Sequence, residues 1–287
     1  KPGSKGSGNF LVEMKKLFVQ VKKLPDAPGV YWFKHGREIL YIGKASSLRD
    51  RVRSYFSSVR RGELETSRGP RIIQMLVLAT GLGYRATDSV LEALLLESQL
   101  IKKHQPKYNV KAKDDKSFWF VVITHEDWPR VLSVRGKNLL QGGADLVFGP
   151  FPNASELRLA LKIVRKIFPF RDKCEPNFGH SCFNHQLGLC PGVCLGAISQ
   201  TDYHKLIRSI KLLFQGRKKT LIKELTKLMC LAARARDFEQ AARWRNHLVA
   251  LRHLQDVALI KRENFENNGR RERIEAKITG LKEKIGS

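Results

Sequence analysis

The stretch Gly29-Val30-Tyr31-Trp32-Phe33-Lys34-His35-Gly36-Arg37-Glu38-Ile39-Leu40-Tyr41-Ile42-Gly43-Lys44 decides the fold. Two runs rich in aromatic and β-branched residues flank His35-Gly36-Arg37, which is the pattern of a β-hairpin. With a three-residue loop at 35–37, Lys34 pairs with Glu38 and Tyr31 faces Tyr41, so the two phenols share one sheet face. A two-residue loop shifts the register and separates them.

The surrounding sequence supplies the rest of an α+β unit. Lys44 sits where the second strand leaves the sheet, and Ser47 to Val59 reads as a helix that puts Arg51 and Tyr55 on one face at i and i+4. Arg71 to Ala79 is helical and Leu82 to Thr87 gives a third strand. Asp88-Ser89 then opens a helix that runs to about His104, with Ser89-x-x-Glu92 as a capping box. Val90, Leu94, Glu97 and Ile101 fall on one stripe of that helix. A carboxylate there must find a cation or lose its charge on burial. The plain alternatives are a salt bridge from Glu97 to Lys44 or Arg51, and simple packing for the tyrosines.

Farther along, Phe118 to Thr124 alternates as a strand, Val131 to Val134 can pair with it, Gly149-Pro150 marks a turn, and Ser155 to Ile167 is helical. Cys174, Cys182, Cys190 and Cys194 lie within 21 positions of irregular sequence. That clustering reads as a metal site. Zinc usually uses close Cys-x-x-Cys pairs, absent here, and four thiolates also suit an iron–sulfur cluster. Cys230 reads as a packed apolar residue on a helix, and His185 as structural rather than a ligand. From Asp202 to Val257 the chain is strongly helical. Leu221, Leu225, Leu228 and Ala232 form one stripe, and Phe238, Ala241, Trp244, Leu248 and Leu251 form another. Asp237 between them caps the second helix of an antiparallel hairpin.

The chain has 287 residues, with 53 Lys+Arg against 27 Asp+Glu and a formal net charge of +26. Such a balance opposes compaction unless a polyanion shares it. Basic residues are spread along the chain, whereas a membrane-surface helix concentrates them on one face, so nucleic acid is the better partner. No run of about 18 apolar residues exists to cross a bilayer. An odd number of cysteines and a Gly/Ser-rich start without an apolar stretch point to a reduced compartment, the cytoplasm by default.

Gly29-Val30-Tyr31 and Tyr41-Ile42-Gly43 together resemble the signature of GIY-YIG nucleases. Leu40-Tyr41-Ile42-Gly43-Lys44-Ala45, Leu48-Arg49-Asp50-Arg51, Glu92-Ala93-Leu94-Leu95-Leu96-Glu97 and Pro106-Lys107-Tyr108-Asn109-Val110 extend the likeness. Together they resemble the N-terminal half of the UvrC family of nucleotide-excision-repair excinucleases. The resemblance implies a nuclease site of Tyr31, Tyr41, Lys44, Arg51, Tyr55, Glu97 and Asn109. In it Glu97 holds Mg²⁺ or Mn²⁺, Arg51 contacts the scissile phosphate, and Tyr41 is the general base with Tyr31 as runner-up.

Cys182-Phe183-Asn184-His185-Gln186-Leu187-Gly188-Leu189-Cys190-Pro191-Gly192-Val193-Cys194 resembles the family's cysteine region. The implied cofactor is a [4Fe-4S] cluster on Cys174, Cys182, Cys190 and Cys194, with zinc as the alternative. Asp237-Phe238-Glu239-Gln240-Ala241-Ala242-Arg243 resembles the UVR motif. It implies binding to UvrB, in its UvrA-loaded complex on damaged duplex DNA, through Phe238, Ala241, Trp244 and Leu248.

The expected organisation is a leader and the start of a first helix (1–19), a small antiparallel sheet flanked by helices (20–111), a mixed Cys-rich region (112–200), a helical hairpin (201–260) and a tail (261–287), truncated or disordered. Arg273-Ile274-Glu275-Ala276 looks like the entry to the family's second nuclease, which suggests a truncated form or a natural half-length homologue. The implied activity is the metal-dependent 3′-side incision. Its rival is a catalytically silent DNA- and UvrB-binding adaptor.

Overall fold

A computed structural model describes residues 16–56, 69–109, 118–141 and 144–252. The leader, the end of the helix expected to reach Val59, Val110, and everything from 253 onward, including the tail, lie outside the described residues.

The first sheet has strands β1 (Gly29–His35), β2 (Glu38–Ala45) and β3 (Gly81–Ala86), antiparallel in the order β2-β1-β3. The hairpin differs from the three-residue reading. His35 pairs with Glu38, leaving a two-residue turn of Gly36 and Arg37, with Gly36 at positive φ as such turns require. That register alone would put the two tyrosines on opposite faces. A bulge restores them: Lys34 pairs with Ile39 but Phe33 pairs with Tyr41, so Leu40 is the extra residue on β2. Tyr31 consequently faces Gly43, and Tyr41 sits two pairs along, on the same side.

Helices cover both faces of this sheet. On the tyrosine side pack α1 (described over 16–22), α2 (Leu48–Arg53) and α3 (Pro70–Leu78), which bury Leu17, Val21, Leu48, Val52, Met75 and Leu76 against Tyr31, Phe33 and Leu40. On the other side lies α4 (Val90–His104), with Ala93 and Ile101 against Val30 and Ile42. Ser89 caps α4 by accepting from the Glu92 N–H, and Glu92 accepts in turn from the Asp88 N–H. The expected stripe on α4 divides. Glu97 shares the sheet-facing line with Ala93 and Ile101, whereas Leu91, Leu94 and Leu95 join the second core.

That second core is built on β4 (Trp119–Thr124), β5 (Val131–Arg135) and β6 (Ala144–Phe151), in the order β5-β4-β6, with α5 (Ala154–Ile167) buried through Leu157, Ala160, Val164 and Ile167. Gly149-Pro150 lies inside β6 and is not the expected turn. A Cβ at Gly149 would meet the Phe120 ring, so close packing on β4, rather than chain reversal, explains that glycine.

A short helix, α6 (Phe183–Gln186), sits in the cysteine segment. It is followed by α7 (Gln200–Phe214), α8 (Lys218–Arg234) and α9 (Phe238–Arg252). Helices α8 and α9 form an antiparallel hairpin. Arg236 takes a left-handed conformation at the turn, and Asp237 caps α9 by accepting from the Gln240 N–H. The whole is α+β, as expected, and no described helix is long and apolar enough to cross a membrane.

Candidate active site and cysteine cluster

The ends of β1 and β2, the helix α2 and the middle of α4 converge on one place. The Tyr31 and Tyr55 hydroxyls are 2.7 Å apart, and the Tyr41 ring stands 6.3 Å from that of Tyr31 and 6.5 Å from that of Tyr55. Arg51, four residues before Tyr55, brings its charge close enough to act on all three phenols. Gly43 makes this grouping possible, because a Cβ there would lie 2.5 Å from the Tyr31 hydroxyl oxygen and 3.0 Å from the Tyr41 ring. Burial, then the neighbouring phenols, push both Tyr31 and Tyr41 well above the ordinary tyrosine range, while the Arg51 charge pulls them back. Neither ionises unaided near neutral pH.

The free edge of β2 is closed by three groups. The Tyr108 N–H donates to the Leu40 carbonyl. Asn109 holds Ile42 from both sides, its Oδ1 accepting from the Ile42 N–H and its Nδ2 donating to the Ile42 carbonyl, each at 2.6 Å. Glu97 Oε1 accepts from the Lys44 N–H at 3.0 Å. An edge strand otherwise exposes a row of unpaired backbone groups, so these contacts fix the backbone that carries Tyr41, Gly43 and Lys44. Asn109 therefore acts through that backbone, since both ends of its amide are engaged.

Glu97 is 8% exposed. Desolvation raises its carboxyl to about 7, against the lowering effect of the Lys44 charge and N–H. A buried carboxylate beside a strand edge offers the hard oxygen that Mg²⁺ or Mn²⁺ prefers, and a cation there would recover the ionised form that burial opposes. The residue fits that group. The salt bridge weighed for Glu97 is not what Lys44 makes: its ammonium pairs with Glu156 on α5 at 2.9 Å. Sequence reasoning missed Glu156. Asn153-Ala154-Ser155-Glu156 signals a helix start, and Asn153 indeed caps α5, but nothing local says which cation its first turn meets.

Cys174, Cys182 and Cys190 place their sulfurs within 4.8 Å of one another, and Cys194 Sγ accepts from the Cys182 N–H at 3.4 Å. Three of the four expected ligands thus gather, and Cys194 lies beside them. The Cys174 and Cys190 sulfurs are 3.9 Å apart, too far for a disulfide. That distance is close to the edge of a tetrahedron of zinc–sulfur bonds, ~3.8 Å for bonds of ~2.3 Å. A four-iron cluster, with one cysteine on each iron, spreads its ligands farther. Burial raises the Cys174 and Cys190 thiols, so a cation is needed to hold them as thiolates. His185 Nδ1 is 3.0 Å from the Cys190 carbonyl oxygen, which occupies that nitrogen. Cys230 is exposed on α8 rather than packed, because it lies off the Leu221–Leu225 stripe.

The hairpin also departs from expectation. Trp244 and Leu248 are buried in the second core and so cannot present themselves to a partner, whereas Phe238 is 70% exposed and Ala241 is half-buried. The α9 stripe is satisfied within the chain, and only its N-terminal end emerges.

Three family models match consecutive regions: the UvrC-like GIY-YIG domain over residues 27–110, the UvrC/Cho excinuclease middle domain over 118–212, and the UvrB/UvrC motif over 219–254. The UvrABC system protein C of Trichormus variabilis is 42% identical over 243 residues, covering 84% of this chain and 38% of that protein. Its counterpart in Acaryochloris marina is 38% identical over 256 residues, covering 87% and 40%. The chain thus spans about two fifths of the length of these curated relatives. The crystal structure of the GIY-YIG N-terminal endonuclease domain of UvrC from Thermotoga maritima, bound to magnesium as its catalytic divalent cation, is 34% identical. It covers 33% of this chain and 98% of that one, with a TM-score of 0.29.

Proposed function

Because the chain belongs to the UvrC family, we propose that it is a metal-dependent DNA endonuclease making the 3′-side incision of nucleotide excision repair, on damaged duplex presented by UvrB. The observation that carries this reading is the convergence of Tyr31, Tyr41, Tyr55 and Arg51 beside the buried Glu97. A catalytically silent adaptor has no use for a carboxylate buried at such cost or for three phenols crowded onto one arginine.

In this reading a phosphodiester binds over the tyrosine cluster. Glu97 holds the divalent cation, which when bound supplies countercharge and acidifies a water. Arg51 donates to the non-bridging oxygens, its planar fork suiting a phosphate. Tyr41, the more solvent-accessible of the two signature tyrosines, accepts the proton of the attacking water. Its raised pKa makes that role dependent on the cation and Arg51 being in place. Tyr31 is held between Arg51 and Tyr55 and orients them, and Asn109 fixes the strand. The excess of +26 supplies non-specific attraction to the duplex, and lesion choice is left to the partner and to DNA shape.

For the cysteine site, the family likeness supports a [4Fe-4S] cluster, and the sulfur spacing favours the second reading, zinc. The UvrB contact is assigned to the exposed end of α9 at Phe238. The test of the main reading is nicking of a lesion-bearing duplex with UvrA, UvrB and Mn²⁺: one cut on the 3′ side supports it, and binding without any cut favours the adaptor.

A further inference from the structure

The Lys44–Glu156 contact joins the nuclease sheet to the unit that follows it in sequence. The Lys44 side chain is 18% exposed and that of Glu156 43%, with Nζ and Oε1 2.9 Å apart. A pair so open to water adds little to folding stability, so its interest lies in what it occupies. Lys44 leaves β2 within the candidate active site, its own N–H bonded to Glu97. Among the described residues, two cations, Lys44 and Arg51, thus face two carboxylates, Glu97 and Glu156. The Glu156 charge is also close enough to oppose ionisation of Glu97.

Glu156 is held in place by its helix. Its N–H is capped by Asn153, and the next residue, Leu157, is fully buried in the core that also contains Leu91, Leu94 and Leu95 of α4. Helix α5 thus shares a core with the helix that carries Glu97. The carboxylate also lies in the first turn of α5, where the helix dipole favours a negative charge. It can give up Lys44 and remain ionised in water without becoming a buried orphan. Lys44, the less exposed partner, needs an anion in either state.

We propose that Glu156 is a specificity-determining residue of this nuclease: it occupies the Lys44 ammonium and must be exchanged for a DNA phosphate before that lysine serves the site. The proposal rests on the reading of the site as one that takes a phosphodiester. Exchange of one anion for another disfavours casual binding of undistorted DNA. It yields when a partner complex presses the strand into place.

The test is a double-mutant cycle on the full chain, measuring binding to a fluorescent undamaged duplex in EDTA, where no cleavage occurs. Glu156→Gln should tighten binding about two- to five-fold, the range expected for releasing one exposed ion pair. Glu156→Asp, which keeps the helix-terminal charge but withdraws it, should act in the same direction. In a Lys44→Met background Glu156→Gln should have no effect, and Glu38→Gln, an exposed acid at the far end of β2, should have none in either background. Unchanged affinity, or an equal effect with Met at position 44, overturns the proposal. Nicking with Mn²⁺ separates the two readings. A normal cycle with no cutting by any variant sinks the nuclease reading alone, and normal cutting with a flat cycle sinks the gate alone.

Discussion

Gly43 faces Tyr31 across the β1–β2 ladder, and the space that its missing side chain leaves is filled by the Tyr31 hydroxyl end. Tyr31 is fully buried, so its ring has no free direction in which to retreat. Gly43→Ala should displace the phenol from Tyr55 and Arg51 and cost about 1–3 kcal/mol through overpacking. A lowered melting temperature with nicking lost and DNA binding kept is the expected result. A melt and a nicking rate both equal to wild type would show that the glycine is incidental.

Glu97 and Tyr41 should separate chemistry from binding. Tyr41→Phe and Glu97→Ala are expected to abolish nicking while salt-sensitive binding to duplex persists, because the phosphate contacts of the remaining Lys and Arg residues are intact. Anisotropy titrations at two salt concentrations beside a nicking assay check both halves. Undiminished cutting by Glu97→Ala would remove it as the metal ligand.

How far these residues were legible beforehand depended on the range of the interactions. The capping box at Ser89, every strand but β6, and the grouping of Cys174, Cys182 and Cys190 follow from local pattern, and the structure contains them. The Leu40 bulge was invisible because a bulge is set by what both faces of the strand must bury. Leu40 and Tyr41 both face the tyrosine-side core although they are consecutive. Trp244 and Leu248 read equally well as interface or core from helical spacing, and the second core decided the matter. Glu156 was missed for the same reason: its partner is more than a hundred positions away.

The cysteine site has a direct assay. Protein purified without oxygen should be brown and hold about four irons per chain if the cluster is [4Fe-4S]. Colourless protein with one zinc per chain would establish the tetrahedral alternative. Cys194→Ser should lower the metal content in either case, and Cys230→Ser, on an exposed helix face, should leave it unchanged.

His247 predicts an acid-sensitive component of stability. Its ring packs edge-on against Phe168 and Trp244, and Nδ1 has no hydrogen-bond partner among the described residues. Burial pulls its pKa down from 6.5 to about 4. Above the unfolded value both states are neutral and the native state keeps its full stability. As pH falls from 6.5 towards 4, the unfolded chain takes up a proton that the folded chain refuses, so stability is lost, by up to about 3 kcal/mol. His247→Leu should flatten this part of the curve in urea unfolding at pH 7.5 and 4.5. An equally steep loss in the variant would assign the acid sensitivity elsewhere.

The two ends of the α9 stripe should behave oppositely. Phe238 is 70% exposed at the start of α9, next to the hairpin turn, and contributes little to the fold, so Phe238→Ala should move stability by no more than about 0.5 kcal/mol. If this end meets UvrB, an aromatic anchor lost from the interface should weaken the complex by about tenfold or more. Leu248, 5% exposed in the second core, should instead cost about 2–5 kcal/mol on truncation to Ala, with any loss of UvrB binding following from unfolding. Calorimetric titration with UvrB, paired with thermal melts of each variant, distinguishes the two. Unaltered binding by a well-folded Phe238→Ala chain would mean that the partner is engaged elsewhere, and that this aromatic is exposed for another reason.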